Sequence, residues 1–172
     1  MRRFQTIVFA ISRLAAAISA LALVLMVGHI LYEIILRYFF ATSTFVLDEF
    51  VGYGVAACTF MALGYSLEHG NLIRVNLLLA RLDGVGRRVV EAGCAALTLG
   101  LTSIFIWFFW IRVARNVARG TTSSSIAAVP MWIPEGFVLL GLCVFWLQVF
   151  AYFLRQVFDT PPPVEAETAN EI

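Results

Sequence analysis

Four stretches of this chain, residues 14–36, 48–67, 89–111 and 133–154, are each apolar over about the length a helix needs to cross a bilayer. A hydrocarbon core of about 30 Å takes roughly 20 residues of helix. Backbone N–H and C=O groups find no water there, so an isolated strand or loop is excluded and each stretch must be helical. The remaining composition leaves no soluble alternative. Of 172 residues, 61% are hydrophobic and 13% charged, against about 25% charged in a soluble domain. A globule of this size has too little interior to hide so much apolar surface. The sequence therefore predicts an all-α integral membrane protein, with residues 1–158 forming a single four-helix membrane domain. All twelve basic residues are Arg, and they are scattered rather than blocked, which gives nucleic acid no basic face to bind.

The two ends need separate readings. The opening MRRFQTIVFAISRLAAAISALA imitates a secretory signal, with two arginines, an apolar run and small residues. Its apolar character continues through Tyr32, past the roughly 7–15 residues of a cleavable segment, so it is read as a retained first span. The closing stretch 159–172, DTPPPVEAETANEI, is acidic and Pro-rich. With nothing to bury, it is expected to be disordered.

Orientation follows from the arginines. With the N-terminus in the cytoplasm, Arg2, Arg3, Arg13, Arg74, Arg81, Arg87, Arg88 and Arg155 lie inside, and Arg37, Arg112, Arg115 and Arg119 outside. That excess places both termini in the cytoplasm. Trp107, Trp110 and Trp132 then gather at the outer interface, where indole rings settle.

Between the second and third spans lies a run too short to cross. Residues 71–82 make about 18 Å of helix. Leu72, Val75, Leu79 and Leu82 fall on one stripe, and Asn71, Arg74 and Arg81 on a polar arc. Such a segment is expected to lie in the inner headgroup layer as a short amphipathic interfacial helix, its arginines reaching lipid phosphate.

Polar groups inside spans are the places to look for chemistry. Glu33 stands four residues before Arg37, a favourable order for a helix pair. Asp48 and Glu49 open the second span, with Thr44 placed to cap it. The short connection brings Arg37 within reach of either acid, so Arg37, Asp48 and Glu49 are candidates for an outer ion cluster that fixes the structure or meets a partner. Glu91 is placed to pair with Arg87 or Arg88. Small residues recur every fourth position at Ser12, Ala16 and Ala20, at Gly52 and Ala56, and at Ala92, Ala96 and Gly100, a pattern that lets helix backbones approach. The third helix can run on through Arg112, Arg115 and Arg119 to a stop at Gly120. After it, PMWI reads as a re-entry, with Pro130 bending the chain, Trp132 anchoring it, and Pro134 starting the fourth helix.

No catalytic, metal or cofactor residues stand out. Cys58, Cys94 and Cys143 sit singly in apolar runs and read as packing residues. A haem b site needs two axial ligands at one depth, whereas His29 and His69 fall near opposite sides of the membrane. His29 is expected to make an interhelical hydrogen bond. A four-helix redox anchor or enzyme using haem or quinone is the main alternative to a non-enzymatic role, with a membrane glutathione-transferase-like enzyme behind it.

Three landmarks in order resemble one family: RYFFATSTFVLDE after the first span, EHGNLIRVNLL after the second, and TTSSSIAAVPMW before the fourth. Over roughly residues 10–155 the chain looks like the small membrane subunit, DctQ-like or Q subunit, of tripartite ATP-independent periplasmic (TRAP) transporters. Arg37, Tyr38, Asp48, Glu49, Gly70, Ile73, Arg74, Val75, Pro130 and Trp132 match the family pattern. Val46 stands where an aromatic is usual, and Leu72 where His is frequent. The resemblance implies a bacterial inner-membrane complex in which a periplasmic protein captures an organic acid and a large membrane subunit moves it with a sodium gradient. The small subunit would pack against that subunit's static part, as a non-catalytic scaffold without a cofactor. Its expected partners are the large subunit on a separate chain, the periplasmic substrate-binding protein and membrane lipid. Gly70, Arg74, Arg81, Pro130 and Trp132 join Arg37, Asp48 and Glu49 as candidate structural or interface residues.

Overall fold

The computed structural model describes residues 2–69 and 85–158. They form four helices: α1 (Arg2–Phe40), α2 (Leu47–Glu68), α3 (Val85–Arg119) and α4 (Trp132–Phe158). All four are long and apolar enough to cross a membrane. The all-α membrane architecture read from the sequence is thus the observed one. The interfacial helix expected at 71–82, with Gly70, Arg74 and Arg81, lies outside the described residues, as does the tail 159–172.

α4 is the centre of the bundle. It packs against α1, α2 and α3, while α1 packs against α2 and α4. The described helices run in spatial order α1, α2, α4, α3, with α3 leaning mainly on α4. At the meeting point of α1, α2 and α4, Ala15, Met61 and Val144 form the apolar core. The tightest approach is at Gly141, where a Cβ would stand 2.7 Å from the Phe60 carbonyl carbon and 2.9 Å from the Met61 nitrogen. Only glycine lets α4 cross α2 at that separation.

α1 has 39 residues, about 58 Å of helix, and starts at Arg2 rather than near residue 14. The extra turns are held by packing. Gln5, Val8, Ser12, Ala15 and Ser19 are buried, alternating three and four residues apart. This is the seam that lets two helices stay in contact through a shallow left-handed crossing. The expected four-residue stripes do not form the interfaces. Ala20, Gly52, Ala96 and Gly100 are exposed, whereas Ser12, Ser19, Ala95 and Thr102 are buried at seven-residue intervals. A strict four-residue stripe drifts around a helix, whereas a mean spacing of 3.5 stays on the shared face.

The connections have local causes. α3 continues through Arg119 and ends as expected at Gly120, whose φ is +61°. Gly120 N–H donates to Val117 O at 3.3 Å and Thr121 N–H to Asn116 O at 3.2 Å, the paired bonds of a Schellman stop. The following loop folds back on itself. Thr122 and Pro130 form a bridge, Ser123 N–H donates to Val129 O at 2.9 Å, and Met131 N–H donates to Thr121 O at 3.0 Å. α4 opens two residues earlier than the sequence suggests, at Trp132.

Candidate functional site

The polar side chains fall into three groups rather than the single outer cluster expected. The first closes the α1–α2 turn. Glu33 is only 1% exposed and accepts bonds from Ser43 Oγ, from Thr44 N–H at 3.1 Å and from Thr44 Oγ1 at 2.6 Å. Arg37 lies on the same carboxylate at 3.0 Å. This carboxylate holds a turn in which Ala41 and Phe45 have positive φ, a conformation that costs a non-glycine residue energy unless its surroundings enforce it. Two expectations are corrected here. Arg37 makes the pair with Glu33 that their helix spacing predicts and does not reach Asp48 or Glu49, because a partner one helical turn back needs no loop to deliver it. Thr44 binds Glu33 instead of capping α2, whose N-cap is Val46 with no side-chain bond.

The second group ties α1, α2 and α4 together at the end where both α1 begins and α4 ends. Ser12 Oγ donates to Gln148 Oε1 at 2.9 Å, and Gln148 Nε2 donates to Glu68 Oε2. Arg155 grips Glu68 with two prongs, Nη1 to Oε1 at 3.0 Å and Nη2 to Oε2 at 3.2 Å. Ser12, Gln148 and the Glu68 side chain are almost wholly buried. Sequence reasoning missed this relay. Its signal was present: Gln148 is the one amide in the fourth span and stands seven residues, two turns, before Arg155.

The third group surrounds a cavity of about 880 Å³ at the opposite end, between α2, α3, α4 and the 121–131 loop. Phe108, Arg112, Arg115 and Arg119 recur at heptad spacing along α3 and present one stripe to it. Glu135, in the first turn of α4, receives Arg112 Nε at 2.7 Å and Asn116 Nδ2. Across the space, Tyr53 OH donates to Glu49 Oε1 at 2.6 Å. Glu49 Oε2 is buried without a hydrogen-bond partner.

The remaining candidates are placed individually. Asp48 is exposed in the first turn of α2, where it faces no basic partner among the described residues. Pro130 O accepts from Ile133 N–H at 3.1 Å, and Trp132 is half-exposed at the head of α4. Glu91 accepts Tyr152 OH at 3.1 Å, joining α3 to α4. The side chains of Arg87 and Arg88 lie outside the described residues. His29 makes no interhelical hydrogen bond through Nε2; its ring packs 6.1 Å from Phe50. His69 stacks on Tyr65 at 3.9 Å. Phe50 and His69 lie at opposite ends of α2, about 28 Å apart along the helix, so the two imidazoles of one chain do not meet at one iron.

A family model for tripartite ATP-independent periplasmic transporters, DctQ component, matches residues 26–167. The chain belongs to the DctQ family of TRAP transporter components. It is similar to the ectoine TRAP transporter small permease protein TeaB of Halomonas elongata, at 26% identity over 169 residues covering 94% of this chain and 87% of that protein. No solved structure matches. The TRAP resemblance of the three sequence landmarks is therefore confirmed, and the chain is a multi-pass TRAP small permease subunit. DctQ components belong to transporters and are generally non-catalytic.

Proposed function

We propose that this DctQ subunit is a static, non-catalytic scaffold in a sodium-driven TRAP transporter that takes up an organic acid across the bacterial inner membrane. One observation supports this reading above the others. Where α1, α2 and α4 meet, the buried polar groups are engaged with each other, Ser12 with Gln148, Gln148 and Arg155 with Glu68, Ser19 Oγ with Cys58 O; the buried atoms without a partner, His29 Nε2 and Glu49 Oε2, lie toward the opposite end. A sodium or carboxylate site needs several uncommitted polar groups or broken helices near the midplane; among the described residues the four helices run unbroken, and His29 Nε2 has no second such group beside it to share a ligand.

The outward faces fit the same role. α1 exposes Leu14, Leu21 and Leu25, and α3 exposes Leu97, Leu101 and Ile104. One such face seats the large membrane subunit and the other meets lipid, while cargo is captured by the periplasmic binding protein. The arginine distribution favours cytoplasmic termini, which puts the 880 Å³ cavity on the periplasmic side. The Halomonas relative is named for ectoine; in this reading the small subunit serves whatever cargo its partners select.

Reconstitution tests the role. The large subunit, with and without this chain, is placed in proteoliposomes with loaded binding protein and an inward sodium gradient. Expected is uptake with both membrane subunits and background uptake with the large subunit alone. Equal uptake in both preparations would refute an essential scaffold.

A further inference from the structure

The cavity between α2, α3, α4 and the 121–131 loop has opposite charges on opposite walls. On α3, Arg115 and Arg119 are exposed and hold no ion-pair partner among the described residues. Arg112 is already engaged by Glu135. On α2, Glu49 Oε2 is buried and accepts nothing. The Ser123 and Ser125 hydroxyls lie beside this carboxylate; one donates to the other at 3.0 Å and Ser123 accepts the Val129 N–H, which leaves one hydroxyl hydrogen to turn toward Glu49 but, among the described residues, no cation to balance its charge. A carboxylate withdrawn from water with no cation beside it is expensive to keep. An occupant that brings an N–H donor to Glu49 and an anion to the arginines would satisfy both walls at once.

The lower edge of the cavity defines what else the occupant carries. Phe108 lies one turn below Arg112 on the same stripe of α3 and lines the cavity with Ile111. The adjoining surface of α3 continues apolar and exposed through Ile104, Phe105 and Trp107. A molecule that matches this lining carries a cationic N–H donor, an anion, and a hydrocarbon body leading down the helix into the bilayer. We propose that this cavity is a binding site for one zwitterionic amino-phospholipid of the phosphatidylethanolamine class. Its phosphate is held by the Arg115 and Arg119 guanidinium groups, which match phosphate oxygens in a two-pronged geometry. Its ammonium is held by Glu49, and its acyl chains lie against Phe108 and the apolar face of α3. The site rests on the chain spanning a membrane and is independent of whether the subunit is a scaffold.

The test uses the complex of this chain with its large subunit, reconstituted in nanodiscs of equal phosphatidylethanolamine and phosphatidylglycerol, released and weighed by native mass spectrometry. Expected is retention of phosphatidylethanolamine over phosphatidylglycerol, falling at least about ten-fold when Arg115→Ala and Arg119→Ala are combined, a change of about 1.4 kcal/mol. Glu49→Gln, which removes the ammonium's counter-charge and leaves the arginines, is expected to shift retention toward phosphatidylglycerol. Equal retention by the double arginine variant, or headgroup preference unaffected by Glu49→Gln, would overturn the assignment. A benzophenone photo-crosslinker at Ser124 in the otherwise native complex gives a readout that does not depend on how the variants fold. A phosphatidylethanolamine adduct supports the site. A peptide adduct from a partner protein, or no lipid adduct, contradicts it.

Discussion

Replacing Arg155 with alanine is expected to cost the bundle about 3–5 kcal/mol, the size of loss seen when a buried ion pair loses one partner. Glu68 is the reason. Its side chain is 3% exposed, and without Arg155 the Gln148 amide is left as its donor. A carboxylate so placed cannot recover its hydration, and its distress passes through Gln148 to Ser12 on α1. Glu68→Gln should cost less, because it removes the buried charge, while Arg155, 15% exposed at the end of α4, can reach headgroups with its long side chain. Thermal unfolding of the purified subunit in detergent checks the order: wild type above Glu68→Gln above Arg155→Ala. An Arg155→Ala protein as stable as wild type would show that the relay contributes little.

The second large effect is expected at Gly141. A Cβ there would sit under 3 Å from two backbone atoms of α2 and from the Phe60 Cβ, and backbone cannot swing aside as the tip of a side chain can. Gly141→Ala is expected to cost about 1–3 kcal/mol through overpacking. Gly141→Leu should go further, prising α4 from α2 and breaking the core of Ala15, Met61 and Val144. Gly93 and Gly100 are the controls, since a Cβ at either meets nothing within 4 Å. Expected is loss of monodisperse protein for Gly141→Leu and near-normal yield and unfolding temperature for Gly100→Leu. Comparable behaviour of the two variants would mean that the close crossing is not what orders these helices.

The same contacts explain what could be read from the sequence and what could not. The four spans were legible because burial in lipid is a property of each stretch alone. The C-terminal end of α3 was legible for a related reason, since Gly120 acts through bonds to Asn116 and Val117, only three to five residues away. The start of α1 was not. Gln5, Ser12 and Arg13 lower the local hydropathy, and only contact with the other helices shows that Gln5 and Ser12 face inward. The sequence offers Arg37 two partners, Glu33 by helix spacing and Asp48 or Glu49 by chain proximity, and Glu33 wins because it shares a rigid helix with Arg37 and is fixed by Ser43 and Thr44. The cavity was hidden for the opposite reason. Glu49, Tyr53, Arg115, Ser125 and Glu135 are brought together by three helices and a loop, and no short window of sequence contains them. Gln148 lay between: an amide in an apolar span announces a partner, but only the fold says that the partners are Ser12 and Glu68.

The central proposal is that the helices keep one arrangement throughout transport, and it can be tested by locking them. Ser19 and Cys58 already face each other across α1 and α2, the Ser19 hydroxyl donating to Cys58 O at 2.9 Å and the Cys58 thiol donating to Ser19 O at 3.2 Å. With Cys94 and Cys143 replaced by alanine, Ser19→Cys supplies a partner for the native Cys58, and the bond is verified by loss of both thiols. Sodium-driven uptake is then measured in proteoliposomes before oxidation, after it, and after reduction. A static scaffold gives the same uptake in all three states. Uptake that stops on oxidation and returns with reductant would mean that α1 and α2 move against each other during transport, which contradicts it.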